Sequence, residues 1–250
     1  MFDLEGFTRI TPEWAEKLVY YKSIESTNDE AKRRIREGVE SGCVILADHQ
    51  TAGRGRRGSE WLSEPEHGLL FSIILKPEYS QQYWGRMSLV TGLAIATCLS
   101  EEWGLSAEIK WPNDILVFGK KCCGILVETQ GDYVIVGVGL NVSYSPEDDR
   151  FTSVWEGLGK PVSREEILAD VLTAIDNELR QCDESGFSEQ LVRLRSRCAF
   201  LGKEIQFTAD AQCRTGVLVG IGDSGELLVR NKGVTCSYIH AEAIRPLDIS

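Results

Sequence analysis

The stretch GRGRRG, residues 53–58, places three arginines between three glycines, and we call it the arginine–glycine loop. Glycine lets backbone N–H groups approach a ligand closely, and guanidinium groups form paired hydrogen bonds with carboxylate or phosphate oxygens. Arg54, Arg56 and Arg57 therefore indicate a loop that closes over an anion. Because guanidinium groups are costly to bury without acceptors, we expect the empty loop to be mobile. Taken alone, the stretch is equally consistent with a solvated, charged loop.

The same six residues match G-x-G-x-x-G, the fingerprint of dinucleotide-binding folds. That fingerprint requires a helix directly after the glycines. Here SEWLSEPEHG follows, with Pro65 and Gly68 where the helix would be. A kinase-type glycine loop is also disfavoured, since no V-A-I-K or H-R-D segment accompanies it. The composition of the loop thus favours a different anion site.

Three further segments place polar residues at the ends of predicted strands, where a rigid support would hold them. Taken singly, each is also consistent with a structural role: a strand-exit turn, a solvated turn lysine or a glycine-rich buried strand. The segments are KWPND (110–114, with Lys110, Asn113 and Asp114), GKKCCGILVE (119–128, with Lys121) and GVGLNV (137–142, with Asn141).

The overall charge of the chain makes these basic positions conspicuous. Its 250 residues carry a formal net charge of −11, which disfavours a general nucleic-acid-binding role. A local basic site on an acidic protein suits a small anion better than a polyanion. No apolar run approaches the ~18 residues that span a bilayer, and the N-terminus has no apolar signal-peptide core. We therefore expect a cytoplasmic protein without a membrane partner.

Eight cysteines raise the question of disulfides or zinc. There is no C-x-x-C pair and the three histidines are scattered, so a zinc site is disfavoured. Cys43, Cys98, Cys198 and Cys213 lie within or beside apolar segments, which predicts small core residues. We expect the thiols to be reduced, as in the cytosol.

Hydrophobic periodicity and turn residues predict the helices and strands that hold these polar residues. Thr27 and Glu30 have capping-box spacing and predict a helix that Gly38 ends. Residues 201–250 read as a small all-β module beside a larger domain of residues 1–200. No segment the size of a helix-turn-helix domain precedes Ser26. We further predict buried strands at 43–48 and 69–76, a central apolar helix at 81–104, three antiparallel strands within 115–142 turning at Gly119 and Gly131, and helices within 163–200.

In their order along the chain, STN, GRGRRG…W, KWPND, GKK…GIL and GxGxN resemble the biotin–protein ligase family, also called biotin–[acetyl-CoA-carboxylase] ligase. The resemblance runs from Ser26 to Asn141. It implies an α+β fold: a mixed, largely antiparallel sheet flanked by helices, like the catalytic domain of class II aminoacyl-tRNA synthetases, plus a small C-terminal SH3-like β-barrel. Adjacent cysteines at 122 and 123 depart from the aliphatic or small residues usual there, and we assign them no role.

The resemblance also implies an activity. Members join biotin to ATP, giving biotinyl-5′-AMP and pyrophosphate, and pass the biotinyl group to a lysine of a biotin carboxyl carrier domain. Mg²⁺ is expected with the triphosphate. The short N-terminal segment implies a form without a DNA-binding domain, and a homodimer is the expected assembly.

Individual roles carry over onto matching positions, while metal ligands remain unassigned. Catalytic roles fall to Arg54, Lys110, Lys121 and Asp114, with Asp114 as the candidate proton acceptor in the transfer step. The biotin-binding residues are Ser26, Thr27, Asn28, Gln50, Gly53, Arg54, Arg56, Lys121 and Gly124. The residues that contact ATP or the adenylate are Arg54, Gly55, Arg56, Arg57, Gly58, Trp61, Lys110, Asn113 and Asn141.

Three alternatives stay open at this point. A lipoate– or octanoate–protein ligase would share the fold, although that family lacks the arginine–glycine loop and the KWPND sequence. A non-catalytic module could bind biotin without consuming ATP. A nucleic-acid-binding protein could use the arginine loop, although the acidic composition disfavours it.

Overall fold

The computed structural model describes residues 1–144 and 146–247, and for residues 183–185 the helical backbone alone. The helices of this part of the chain are α1 (Leu4–Ile10), α2 (Pro12–Ala15), α3 (Thr27–Arg36), α4 (Met87–Glu101), α5 (Val154–Leu158), α6 (Arg164–Ser185) and α7 (Phe187–Ser196). The strands are β1 (Leu18–Tyr21), β2 (Val44–Ala47), β3 (Gly68–Leu75), β4 (Ala107–Lys110), β5 (Asp114–Val117), β6 (Lys120–Gln130), β7 (Tyr133–Asn141), β8 (Glu204–Ala209), β9 (Gln212–Ile221), β10 (Leu227–Asn231), β11 (Val234–Tyr238) and β12 (Glu242–Pro246).

A seven-stranded sheet in the order β1-β2-β3-β7-β6-β5-β4 forms the centre of the larger part of the chain. β1 and β2 run parallel, and every other neighbouring pair is antiparallel. The predicted mixed, largely antiparallel sheet flanked by helices is confirmed. The predicted strand pair at 43–48 and 69–76 corresponds to β2 and β3, whose residues are almost all fully buried.

Helix α4 is apolar on nearly every side, as the run 81–104 predicts, and it is buried between the sheet and α6. A 3-10 turn over Gln81–Arg86 leads into it. Such an all-round apolar helix is stable only when it is covered on all sides, which explains its central place. The predicted central helix is therefore confirmed, with a later start than the apolar run alone indicates.

The three strands predicted within 115–142 are β5, β6 and β7. Both turns between them contain a glycine with positive φ, 76° at Gly119 and 59° at Gly131. Backbone in that region is easiest for glycine, so these residues set the turns and hence the register. The register pairs Gly124 of β6 with Gly139 of β7. Because neither residue has a side chain, the sheet surface has a depression at this pair.

The capping box predicted at the start of α3 is wrong. The N-cap residue is Ser26, whose side chain makes no capping bond, and Thr27 is already inside the helix. The Thr27 hydroxyl and backbone N–H both contact the Gln50 side-chain oxygen instead. Glu30 bonds Tyr21, Arg33 and Arg34 rather than the backbone. Side chains of other residues thus bond the Thr27 and Glu30 atoms that a capping box would have used.

The C-terminal strands form a five-stranded sheet in the order β11-β10-β9-β8-β12. Turns at Gly222–Asp223 and Lys232–Gly233 separate β9 from β10 and β10 from β11. The two edge strands β11 and β12 are not paired with each other among the described residues, so this sheet is open rather than a closed barrel.

Of the four cysteines predicted as core residues, Cys98 and Cys198 are buried and Cys43 is half-buried. Cys213 is exposed, contrary to the prediction, because it lies on the outer face of the first half of β9. Cys122 and Cys123 are fully buried in β6, and burial raises the pKa of both thiols, to about 12 for Cys122.

Candidate active site

One cavity of about 240 Å³ brings together the predicted site residues from distant parts of the chain. Its walls are the start of α3, the hairpin 53–61, the turn between β4 and β5, the faces of β6 and β7, and the start of β12. Fourteen of the predicted residues line it: Ser26, Thr27, Asn28, Gln50, Arg54, Gly55, Arg56, Arg57, Trp61, Lys110, Asn113, Asp114, Lys121 and Gly124.

The arginine–glycine loop forms the turn of the hairpin 53–61. Trp61 N–H donates to Gly53 O at 3.0 Å and Gly55 N–H donates to Ser59 O at 2.7 Å. A 3-10 turn at residues 56–58 closes the hairpin, with positive φ at Arg57 and Gly58. A Cβ at Gly53 would lie 2.7 Å from the Trp61 carbonyl oxygen, so the hairpin requires glycine there. The arginine–glycine loop is therefore folded as a hairpin in the structure.

Each arginine of the loop has an acceptor, but the acceptors differ in kind. Arg54 Nη2 lies 2.5 Å from Asp29 and 3.3 Å from Glu128. Arg57 forms an ion pair with Glu242 at the start of β12, which joins the hairpin to the C-terminal sheet. These pairs compensate two of the three guanidinium groups.

Arg56 is the least compensated of the three. Its Nη1 donates to the neutral side-chain oxygen of Asn113 at 3.2 Å. Burial lowers the pKa of the Arg56 guanidinium and nearby Arg57 adds to this effect, while Asp114 opposes it. A half-buried cation whose bonded partner is neutral creates a favourable position for an anion. The geometry therefore makes Arg56 an anion-binding group of the cavity.

Two lysines flank a single carboxylate on the opposite wall. Lys121 Nζ lies 2.7 Å and Lys110 Nζ 3.9 Å from carboxylate oxygens of Asp114. Although the Lys121 contact is short, Asp114 Oδ1 accepts no hydrogen bond with good geometry, so the pair is held by charge alone. Burial lowers the pKa of Lys110, which Asp114 partly opposes. One anionic group between two ammonium groups leaves the cluster net positive.

The far end of the cavity is polar but uncharged. Thr27 N–H donates to Gln50 Oε1 at 2.7 Å, and the Thr27 hydroxyl lies 3.0 Å from the same oxygen. Ser26 is buried and does not use its hydroxyl to cap α3. Asn28 also lines the cavity, although its amide bonds to Glu128, Leu126 and Ser72 of the protein. This end can exchange hydrogen bonds with a small polar ring.

Trp61 covers the floor of the cavity. Its ring lies on Gly124 and Gly139, where a Cβ at either position would collide with the indole. Lys121 Nζ lies 5.4 Å from the ring centroid, within the range of a cation–π contact. The indole N–H is buried and has no hydrogen-bond partner among the described residues. This donor is therefore available to a hydrogen-bond acceptor in the cavity.

Three predicted residues do not lie on the cavity wall. Gly53 and Gly58 shape the hairpin from outside. Asn141 is buried at the end of β7, where its side-chain Nδ2 donates to Thr152 O at 3.0 Å. That bond holds the segment that leads from β7 to α5, and Asn141 is not among the residues that line the cavity. A contact between Asn141 and adenine stays a prediction.

Several lining residues have no counterpart in the predicted set. Gly139 belongs to the GVGLNV segment, and the pairing of two glycines across strands could have identified it. Glu128 and Asp29 do not line the cavity but pair with Arg54, and both lie within or beside the predicted motifs. No sequence signal identifies Ala241, Glu242, Ala243 and Ile244 of the C-terminal sheet, which close one side of the cavity.

The chemistry available to this cavity is charge neutralisation and orientation. In the described part of the chain, no group of three or more His, Cys, Asp or Glu side chains is arranged to hold a metal ion. Within the same residues, no helix combines the length and apolar composition needed to cross a membrane. A cluster of cations beside a neutral polar end suits a ligand with an uncharged polar ring and an acidic group.

Comparisons with known proteins agree with this description. Residues 20–141 match the model of the biotin/lipoate A/B protein ligase family. The biotin–[acetyl-CoA-carboxylase] ligase of Paracoccus denitrificans is 33% identical over 220 residues, which cover 82% of this chain and 91% of that protein. The bifunctional ligase/repressor BirA of Bacillus subtilis is 31% identical over 235 residues, 89% of this chain and 72% of that protein.

The fold is also shared with solved structures. The biotin protein ligase from Aquifex aeolicus, solved in complex with biotin and ATP, superposes with a TM-score of 0.85 at 33% identity. The match covers 93% of this chain and all of that one. Together with the motifs gathered around one cavity, these likenesses show that the chain belongs to the biotin–protein ligase family.

Proposed function

We propose that this chain is an ATP-dependent biotin–protein ligase. It joins biotin to ATP, releasing pyrophosphate, and transfers the biotinyl group from biotinyl-5′-AMP to a lysine of a biotin carboxyl carrier domain. The observation that carries the proposal is the meeting of Arg54, Arg56, Lys110 and Lys121 in one cavity whose far end is neutral and polar. Both substrates are anions that repel each other, and fixed cations offset that repulsion while holding them in reacting geometry.

The cavity suggests how the two substrates are arranged. The ureido ring of biotin binds at the polar end formed by Ser26, Thr27 and Gln50. Its carboxylate then extends toward Lys121, and Arg54 leaves Asp29 and Glu128 to bridge the carboxylate and the α-phosphate. The nucleotide lies along the side formed by Arg56, Arg57, Lys110 and Asn113, with Trp61 packing on the adenylate.

Mg²⁺ enters this proposal with the triphosphate. Asp114 lies beside two lysines, and the described residues offer no three-ligand cluster, so phosphate oxygens would supply most of the metal ligands. When bound, the ion would neutralise phosphate charge. The protein's own groups supply orientation and the remaining positive charge.

The transfer step requires an uncharged lysine from the carrier domain. Asp114 is the proposed acceptor for its proton, since it is the carboxylate located within the cationic cluster. The hairpin 53–61 covers the cavity and would keep water from the acyl-adenylate until the carrier arrives.

Two other activities remain as alternatives. The matched family model includes lipoate ligases, and a lipoate or octanoate ligase would need an apolar end where this cavity has buried hydroxyl and amide groups. A non-catalytic module would bind biotin and leave ATP intact. Pyrophosphate release measured with biotin, lipoate or octanoate as the acid separates the three possibilities.

The decisive experiment combines the purified protein, labelled biotin, Mg²⁺-ATP and a carrier domain of a biotin-dependent carboxylase. A covalent product that requires ATP and the acceptor lysine supports the proposal. A lysine-to-arginine carrier is the matched control and should stay unlabelled. Biotin binding without pyrophosphate release would contradict the proposed activity.

The wider assignments belong to the same proposal. We infer a catalytic domain of residues 1–200 and a C-terminal SH3-like module of residues 201–250, supported by the separate five-stranded sheet. We further infer a cytoplasmic enzyme that acts without binding DNA and assembles as a homodimer. Light scattering of the purified chain tests the assembly, and salt-dependent retention on a phosphate resin tests for nucleic-acid binding.

A further inference from the structure

A chain of hydrogen bonds lies behind the polar end of the cavity. Ser72 of β3 is fully buried and does not line the cavity. Its Oγ lies 2.6 Å from Asn28 Oδ1 and 2.7 Å from Thr27 Oγ1. Asn28 Nδ2 donates to Glu128 Oε2 at 2.8 Å. The four side chains therefore connect a carboxylate on β6 to a hydroxyl on the cavity wall.

The ionisation of Glu128, at one end of this chain of hydrogen bonds, sets which atoms donate and which accept along it. Burial alone would raise the pKa of Glu128, but hydrogen bonds from Lys32 and Asn28 outweigh it and lower the pKa. Glu128 is therefore ionised and can only accept. Asn28 must face it with Nδ2, which turns Oδ1 toward Ser72. A second acceptor near Asn28 Nδ2, the carbonyl of Leu126 at 3.4 Å, supports the same orientation.

The Ser72 hydroxyl has a single proton and two oxygens at short distance. Asn28 Oδ1 has no proton, so a 2.6 Å contact between the two oxygens is attractive only if Ser72 donates to it. The 2.7 Å contact between Ser72 and Thr27 then needs the Thr27 proton. Gln50 Oε1 is farther from Thr27 Oγ1, at 3.0 Å, and already accepts the Thr27 backbone N–H. The Thr27 proton therefore goes to Ser72, within the protein.

We propose that Ser72 and Glu128 are positioning residues that hold the Thr27 hydroxyl as a hydrogen-bond acceptor toward the cavity, and that this polarity selects an acid whose ring presents an N–H donor. The inference rests on the proposed function and specifies its substrate recognition. A ureido N–H can donate to Thr27. The dithiolane ring of lipoate and the chain of octanoate have no such donor and would leave buried polar groups unpaired, which is the strongest basis for rejecting an analogue.

The test replaces Ser72 with alanine in the full chain and measures binding by calorimetry. Three ligands separate the explanations: biotin, desthiobiotin, which keeps the ureido ring, and octanoic acid, which has none. We expect Ser72→Ala to weaken the binding of biotin and of desthiobiotin by about tenfold each, which is the loss typical of one misdirected hydrogen bond. Octanoic acid affinity and KM for ATP should not change. Unchanged biotin affinity, or an equal loss for all three ligands, would overturn the proposal.

Thr91→Val is the matched control, because Thr91 in α4 is also fully buried while its hydroxyl has no hydrogen-bond partner among the described residues. It removes a buried hydroxyl at constant shape and should leave all three affinities unchanged. If Ser72→Ala does not fold, Ser72→Cys keeps the volume with a weaker donor, and the same ureido-specific loss is expected.

A second variant reverses the relay, the chain of hydrogen bonds from Glu128 through Asn28 and Ser72 to Thr27, instead of breaking it. In Glu128→Gln the amide oxygen stays with Lys32, which lies 2.6 Å from Glu128 Oε1, so the new NH₂ group faces Asn28. Asn28 must then flip, and Ser72 becomes a donor to Thr27. Biotin affinity should fall. Lys32→Met removes the Lys32–Glu128 ion pair, keeps the carboxylate and its contact with Arg54, and should leave biotin affinity within about twofold of wild type. Equal affinities in both variants would contradict the relay. A wild-type protein that fails to prefer biotin over octanoic acid would refute the proposed function itself.

Discussion

The indole of Trp61 lies directly on Gly124: a Cβ at position 124 would be 2.7 Å from Cζ3 of the ring. Gly124 belongs to the rigid centre of the sheet, where it pairs with Gly139, whereas Trp61 is carried by the hairpin 53–61. The closed position of the hairpin therefore depends on the absence of side chains in the sheet beneath it. A glycine in β6 and an aromatic residue in the loop together form the contact that closes the hairpin onto the sheet.

Adding a methyl group at position 124 should keep this closure from forming. Gly124→Ala is expected to displace the indole and reduce kcat/KM for biotin-dependent pyrophosphate release by at least about tenfold, since misplaced closure disturbs substrate alignment. Gly92→Ala in α4 is the matched control, because its Cβ would meet Ile115 at an ordinary 3.5 Å. Wild-type kinetics in Gly124→Ala would show that the contact is not needed for catalysis.

Neighbouring lysines in β6 offer a direct test of the cationic cluster. Lys121 pairs with Asp114 inside the cavity, whereas the half-exposed Lys120 lies 3.7 Å from Asp149 outside it. Lys121→Ala should slow adenylation and transfer from preformed biotinyl-5′-AMP, each by about 100-fold, the usual loss for one stabilising charge. Lys120→Ala should retain both rates. Unimpaired transfer in Lys121→Ala would remove this residue from the second step.

Arg54 is expected to matter for adenylation more than for folding. Its guanidinium is partly exposed and pairs with Asp29 and Glu128, so its loss should change the melting temperature little. Arg54→Ala should lower pyrophosphate release by about 100-fold because the carboxylate and the α-phosphate lose a shared cation. Arg9→Ala, which removes an exposed arginine in α1, is the control and should match wild type. Near-normal turnover in Arg54→Ala would exclude the bridging role.

The pH dependence of stability should report Glu30. Hydrogen bonds from Arg33, opposed by burial and reinforced by Tyr21 and Arg34, lower the pKa of Glu30 to about 2. The unfolded chain, with an ordinary pKa, binds more protons between about pH 4.5 and 2, so Glu30 stabilises the fold above that window and loses its effect as the pH falls through it.

Glu30→Gln should therefore cost on the order of 2 kcal/mol of unfolding free energy at neutral pH, and less as the pH approaches 2. Urea denaturation at several pH values measures the difference. The exposed Glu40→Gln is the control and should follow wild type. A constant difference between wild type and Glu30→Gln across this range would show that the cost comes from packing rather than charge.

Much of the fold follows from local sequence patterns. Glycine at 119 and 131 fixed two turns, the apolar run 81–104 fixed a central helix, and the ends of strands placed Lys110 and Lys121 at the cavity. Local patterns failed at Thr27 and Glu30, where capping spacing predicted local bonds. The Thr27 backbone N–H donates to Gln50, and the Glu30 carboxylate bonds Tyr21 of β1 and arginines of its own helix. A buried polar group bonds whichever partner the fold brings to it.

The amino-acid sequence specifies the groups that can neutralise and orient two anions, because three glycines, three arginines and two lysines keep that chemistry wherever they fold. Which of them share a cavity depends on the packing of the folded chain. Packing also directs Asn141 to Thr152, places Ser72 behind Thr27 and brings Glu242 to Arg57. Hydrogen bonds and ion pairs between residues far apart in the chain form only where packing brings them together, and no local spacing specifies that.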